Sequence, residues 1–156
     1  MSVTVQDVLR VLESDEPNYG TGRALGPDAL PHLATLATGP DENLASKAVY
    51  LASVIGTDAG VAVVREALGN ASPLVRIQAA AGARNLGSAA AATLLPRLLG
   101  DADTGVRKFA LRTAQTLFTP ASMPEAVRTR VAALSQSDPV PFIRTLASSI
   151  TAAPPR

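Results

Sequence analysis

Apolar residues in this chain return in register every 31 positions. Leu44, Val75 and Val106 align under that shift, as do Ala48, Ala79 and Ala110, then Ala52, Ala83 and Ala114, then Ile55, Leu86 and Leu117. Within each copy the spacings are four, four and three, which puts the whole set on one stripe of an α-helix. The two middle columns are Ala in every copy, so neighbouring helices must approach closely there. Three helices of one design at one fixed period specify a helical repeat protein, an array of stacked helix pairs.

Each unit reads as a first helix, a short turn and a second helix. The pattern predicts first helices at 28–38, 58–68, 89–99 and 124–135, and second helices at 42–55, 73–86, 104–118 and 141–151. Asp41, Ser72 and Asp103 stand just before three of the second helices, where a side-chain oxygen can accept from an orphan backbone N–H. Pro73 suits a first helical position, and Gly56 and Gly87 suit C-caps. Thr57, Ser88 and Thr119 are the matching candidates to cap the next first helices.

The two ends depart from the period. Val5, Val8, Leu9 and Leu12 fall at i, i+3, i+4 and i+7, an amphipathic helix over 4–13 that can cover the open apolar side of the first repeat. Residues 14–26 follow as an irregular connection rich in Gly, with Tyr19 a candidate contact residue. At the other end VPFIR (Val140–Arg144) matches SPLVR (Ser72–Arg76) in type but lies 68 positions later, so the fourth unit carries six extra residues. The expected organisation is one domain over 1–156: a capping helix and loop at 1–27, then repeats at 28–56, 57–87, 88–118 and 119–152. The closing TAAPPR cannot continue a helix.

Composition narrows the chemistry. The chain is 47% hydrophobic but only 3% aromatic and has no Trp, so its core is built of Ala, Leu and Val. It has no Cys, which excludes disulfides, thiolate metal sites and Cys nucleophiles. No run of 18 apolar residues is present, and Met1–Leu12 lacks the basic start of a secretory signal, so a cytoplasmic location is expected. The net charge of +1 hides an asymmetry: residues 1–66 carry four Lys/Arg against nine Asp/Glu, whereas 67–156 carry ten against four. Such a dipole can steer an acidic partner to one end or favour head-to-tail contact between copies.

The block GNASPLVRIQAAAGARNLG (Gly69–Gly87) and its echo GDADTGVRKFALRTAQTLF (Gly100–Phe118) resemble the HEAT-like repeats of the phycobilin-lyase type. Val75-Arg76, Ala79-Ala80 and Leu86-Gly87 match that pattern, and so do Val106-Arg107, Ala110 and Leu117. The first repeat keeps Leu44, Ala48 and Gly56 but has Ala45 where the pattern has Arg. The likeness spans roughly Asp28–Ile150 and implies an all-α, right-handed α-solenoid of about four HEAT-like helix pairs with an N-terminal capping helix. It further implies that the second helices line a concave face and that this face holds a protein.

The recurring Arg76, Arg107 and Arg144 could form a ladder of cations for a phosphate or carboxylate. Recurrence favours instead bonds to turn carbonyls or a neighbouring Asp, such as Asp101 or Asp103, that hold adjacent repeats in register, because binding residues vary along a solenoid. The outward columns are Ser46, Ile77 and Lys108; Tyr50, Ala81 and Arg112; and Ser53, Arg84 and Gln115. Lys47, Tyr50, Gln78, Arg84, Lys108, Arg112 and Gln115 are the candidate partner-binding residues, with Tyr50 and Arg112 as anchors, since Tyr and Arg dominate interface energetics. The plain alternative is a solvated face.

No catalytic, metal or cofactor-binding residue is assigned. His32 is the sole histidine and has no sequence neighbour suggesting a triad. Asp101-Ala102-Asp103 reads as a cap rather than a metal site, and Gly20-Thr21-Gly22 with Gly26 lacks the Gly-Lys-Ser/Thr ending of a phosphate loop. The function expected is therefore a non-catalytic scaffold or adaptor for a protein or peptide. Nucleic-acid binding by the basic C-terminal half is the alternative, as in HEAT-like alkylbase DNA glycosylases. A bilin-lyase-like or chaperone role ranks after both. Self-association through Phe142, Ile143, Leu146 and Ile150 of the last helix is a further expectation.

Overall fold

The structure is a computed structural model that describes residues 2–152. All regular structure among them is helical: α1 (Val5–Leu12), α2 (Tyr19–Arg23), α3 (Leu30–Ala37), α4 (Glu42–Ile55), α5 (Asp58–Ala67), α6 (Pro73–Gly82), α7 (Ser88–Leu99), α8 (Thr104–Leu117), α9 (Glu125–Ser137) and α10 (Pro141–Thr151), with 3-10 turns at Pro27–Ala29 and Ala83–Leu86. The pairs α3/α4, α5/α6, α7/α8 and α9/α10 are the four repeats. Their second helices stack in one row, α4 on α6 on α8 on α10, while α3 packs on α5 and α7 on α9 in the other. The closing residues 153–156 lie outside the described part.

The alanine columns explain the stacking. Ala48, Ala79 and Ala110, and Ala52, Ala83 and Ala114, are all fully buried between the rows. The flanking Leu44, Ile55, Leu86 and Leu117 are half-buried at the margins of the core. Glycine carries the same logic further. A Cβ on Gly60 of α5 would stand 2.5 Å from the Ala52 carbonyl oxygen, and one on Gly82 would stand 2.6 Å from Ser53 Oγ, so both helices rest directly on α4.

Most helix starts are where the caps put them. Asp41 accepts from Leu44 N–H, Asp103 from Val106 N–H and Thr57 from Gly60 N–H. Gly56 ends α4 in the left-handed region at φ 73°. Ser72 differs: its hydroxyl donates to Glu42 Oε2 at 2.7 Å, linking two repeats instead of capping its own helix. Ser88 is the first residue of α7, with Gly87 (φ 87°) before it. Thr119 closes a small turn with Ser122 and caps nothing, because the extra residues of the fourth unit delay α9 to Glu125.

Two further departures matter. α6 gives way to a 3-10 turn after Gly82, a weak helix former pressed against α4. The connection after α1 is also not wholly irregular: Asn18 accepts from Thr21 N–H and starts the five-residue α2. Gly22 of that helix sits where any Cβ would be 2.6 Å from the Leu51 side chain, so α2 lies flat on α4. With Val8 and Leu12 of α1 fully buried, α1 and α2 together form the N-terminal cap.

Candidate binding face

The recurring arginines form a ladder along the turns that join first to second helices. Arg76 Nε donates to Asp101 Oδ2 at 2.9 Å and Nη2 to Asp101 Oδ1 at 3.2 Å, while Nη1 donates to the carbonyls of Asn70 and Ala71. Arg107 repeats the arrangement one unit on, with Asp138 at 2.8 and 3.3 Å and the carbonyls of Asp101 and Ala102. Each arginine thus ties its own turn to the next. Arg144 keeps the carbonyl bond, to Asp138 O at 2.6 Å, but among the described residues no later turn offers it a carboxylate. The aspartates also accept from the N–H two residues on (Asp103 and Val140), so Asp101 belongs to the scaffold as Asp103 does.

The predicted stripe divides in two. In its N-terminal half the side chains are engaged within the chain. Lys47 Nζ donates to the Ser14 carbonyl at 3.0 Å, tying down the cap. Tyr50 meets Tyr19 of α2 edge-on with ring centroids 4.7 Å apart, and its hydroxyl accepts from Arg84 Nη2 at 3.1 Å. Ser46 and Ser53 do not face solvent; both are buried, and their hydroxyls donate to the carbonyls of Asn43 and Tyr50. They are short enough to lie beneath the close-packed row, which a column argument for outward positions does not register. Gln78 and Ile77 are half-buried in α6.

Local electrostatics follow from these contacts. Burial pushes the Tyr19 phenol up, reinforced by Tyr50. Burial acts the same way on Tyr50, but Asn85 and the Arg84 guanidinium beside it outweigh that and hold its phenol below the ordinary value.

The C-terminal half of the stripe is open. Arg84, Arg112 and Gln115 are exposed and line a groove of about 270 Å³ between α6 and α8, together with Phe109 and Thr116. Lys108 Nζ lies 5.6 Å from the ring centroids of both Phe109 and Phe142. Phe109 is 37% exposed and Phe142 49%, and with Val5 they are the large apolar side chains most open to solvent among the described residues. Phe109 is not among the candidate residues read from the sequence although the period contains it: it stands 31 residues after Gln78 and 62 after Lys47. None of α6, α8 and α10, nor the 3-10 turn after α6, contains an Asp or Glu. The open surface is therefore basic and aromatic with no carboxylate of its own helices to neutralise it.

Elsewhere the candidates resolve into structure. His32 Nε2 lies 2.9 Å from the Val3 carbonyl and fastens the N-terminal segment to α3. Ile143, Leu146 and Ile150 of α10 turn inward and are buried, so the apolar face expected to drive self-association is already covered, and Phe142 alone of that set is exposed. The basic excess of the C-terminal half is spread over several sides. Arg76, Arg107 and Arg144 serve the turns, and Arg128 donates to the carbonyls of Pro120 and Met123. Arg97 and Arg130 sit on α7 and α9 of the other row. Among the described residues no helix is long and apolar enough to cross a membrane.

Comparison with known proteins agrees with this architecture. No curated protein matches the sequence. Among solved structures, a chain of "the complex of CpcE and CpcF of phycocyanin lyase from Nostoc sp. PCC7120" superposes with a TM-score of 0.74 over 95% of this chain and 98% of that one, at 20% sequence identity. At that identity the likeness is one of fold. The family model of HEAT repeats matches residues 30–116, more than half the chain and centred on the period described above. On the repeat register, the stacked rows and this match, the chain belongs to the HEAT repeat family.

Proposed function

We propose that this chain is a non-catalytic protein-binding module whose α6–α8–α10 face holds an acidic segment of a partner carrying an apolar anchor. One observation carries the reading: Phe109 and Phe142 stay open to solvent around Lys108, beside Arg84 and Arg112, on helices that contain no carboxylate. Exposed aromatics and arginines are the residues that contribute most when an interface forms. A surface of one charge sign steers and orients a partner of the other. The proposed site is narrower than the full stripe, because Lys47 and Tyr50 are already engaged with the N-terminal cap.

Two further points support a binding role. The single histidine has a structural role, fastening the N-terminal segment to α3 through the Val3 carbonyl. The similar solved chain comes from a complex of two proteins, which favours a protein partner for this one. Nucleic acid fits less well, since the open face offers Arg84, Lys108 and Arg112 where duplex binders neutralise on the order of 6–10 phosphates.

The test uses a random copolymer of glutamate and tyrosine as probe, with polyglutamate and single-stranded DNA as controls. The copolymer should bind, and polyglutamate should bind at least about tenfold more weakly because it lacks the apolar anchor. Arg112→Glu with Phe142→Ser should abolish binding while leaving the thermal melt unchanged. Equal binding by that double variant would move the site elsewhere, and tighter binding of DNA would replace the protein partner with a nucleic acid.

A further inference from the structure

The arginine ladder has an empty first rung. Positions 76 and 107 are arginine, but the equivalent position in the first repeat is Ala45. In the occupied rungs the guanidinium bonds the backbone carbonyls five and six residues earlier and the carboxylate of the following turn. The same construction about residue 45 selects the carbonyls of Gly39 and Pro40 and the side chain of Asn70. Those three residues, with Glu42 at the rim and Ala45 and Val75 on the floor, line an open cavity of about 390 Å³.

The acceptors around this cavity differ from those of the other rungs in a consistent way. Asn70 stands where Asp101 and Asp138 stand in the later turns. Its Oδ1 makes the same turn bond, from Ser72 N–H at 2.9 Å, while its Nδ2 donates to the Ala37 carbonyl at 3.3 Å. A carboxylate with no arginine beside it would be costly in a half-buried turn, so the neutral amide suits the empty rung. Negative charge is nevertheless present, supplied by Glu42, whose Oε2 accepts from Ser72 Oγ at 2.7 Å. The later second helices begin with Pro73, Thr104 and Pro141 at that place, so Glu42 is particular to the repeat that lacks its arginine.

We propose that the cavity receives the guanidinium of an arginine side chain presented by a partner protein. The Gly39 and Pro40 carbonyls, Asn70 Oδ1 and the Glu42 carboxylate are its acceptors. A planar fork of five N–H donors suits a ring of carbonyls with a carboxylate at one side, as the chain's own Arg76 and Arg107 demonstrate one and two repeats away. A lysine ammonium offers a point charge and cannot span the same acceptors. The site borders the first turn of α6 but shares none of Arg84, Lys108, Phe109, Arg112 and Phe142, and does not depend on those residues binding anything.

Amide chemical shifts of the full chain, titrated with Nα-acetyl-arginine amide, test the assignment. Saturable shifts are expected at Glu42, Asn70 and Ser72 at millimolar ligand, with the lysine counterpart at least about tenfold weaker. Asn70→Asp should tighten binding several-fold by restoring the carboxylate of the other rungs, and Glu42→Gln should weaken it. Ala45→Arg should occupy the cavity, abolish the shifts and, combined with Asn70→Asp, raise Tm. Shifts that never saturate, equal binding of the lysine compound, or binding untouched by both Glu42→Gln and Asn70→Asp would overturn the proposal. Binding of free arginine or agmatine without binding of the capped compound would also overturn it, since that site would serve a small molecule and not a protein side chain.

Discussion

Arg107 and Asp138 show what a recurring residue is for. Their side chains are 9% and 1% exposed and share two hydrogen bonds, so neither charge is left to water. Removing one member of such a buried pair strands the other, and Asp138→Asn should cost about 3–5 kcal/mol in urea unfolding. Asp101→Asn should cost less, because the Arg76–Asp101 pair is somewhat more open, at 16% and 12%. The two tyrosines give a second check at this scale, in a chain with no Trp to obscure them. Phenolate absorbance should rise in two steps, Tyr50 ionising below the ordinary tyrosine value and Tyr19 above it. Arg84→Gln should move the first step upward. As pH rises from the folded Tyr50 pKa to its unfolded value, the folded state has released a proton the unfolded state still holds, so Tyr50 contributes increasing stability there. Tyr19 acts in the opposite sense above its unfolded value. The arginine column, its turn carbonyls and Asp101 as a partner were legible in the sequence, but Asp138 was not, because the partner of Arg107 lies 31 positions on, in the irregular fourth unit.

At the scale of the element, helix-to-helix distance is set by what is absent from the contact. Ala79 and Ala83 are fully buried on α6 and the turn after it, so Ala79→Leu or Ala83→Leu should destabilise by about 1–3 kcal/mol through overpacking, read from thermal melts. Gly60 sharpens the point. In an exposed helix Gly→Ala stabilises by about 1 kcal/mol. Here the new methyl would meet the Ala52 carbonyl oxygen at 2.5 Å, so Gly60→Ala should lower Tm instead. The helix boundaries were largely legible, with 42–55 and 141–151 reproduced by α4 and α10. The early end of α6 and the existence of α2 were not. Both depend on a glycine pressed against α4, Gly82 in one case and Gly22 in the other, and such contacts are tertiary.

For the whole molecule, the important asymmetry is between a capped end and an open face. α1 and α2 close the first repeat through Val8, Leu12, Gly22 and Tyr19, and in doing so take up Lys47 and Tyr50. A chain lacking residues 1–26 should melt lower and bind a dye for exposed apolar surface, since burying Val8 and Leu12 alone contributes about 3–6 kcal/mol. A deletion with unchanged melt and no dye binding would show that the first repeat needs no cover. At the other end α10 buries Ile143, Leu146 and Ile150 and shows Thr145, Ser148 and Ser149 to water.

The sequence by itself determined the repeat. A 31-residue period of Leu, Ala and Val is a local pattern, and a chain carrying it can bury that stripe only by stacking one helix pair on the next. The tertiary structure decided which outward positions remain available. Ser46 and Ser53 sink into the close-packed row, Lys47 and Tyr50 are taken by the cap, and the missing arginine at Ala45 leaves a cavity among acceptors drawn from two turns. Each outcome depends on side-chain size and on residues about 30 positions distant, neither of which a one-dimensional period contains. What stays open is the surface around Lys108, Phe109, Arg112 and Phe142, where α8 and α10 bring two aromatic rings to one cation.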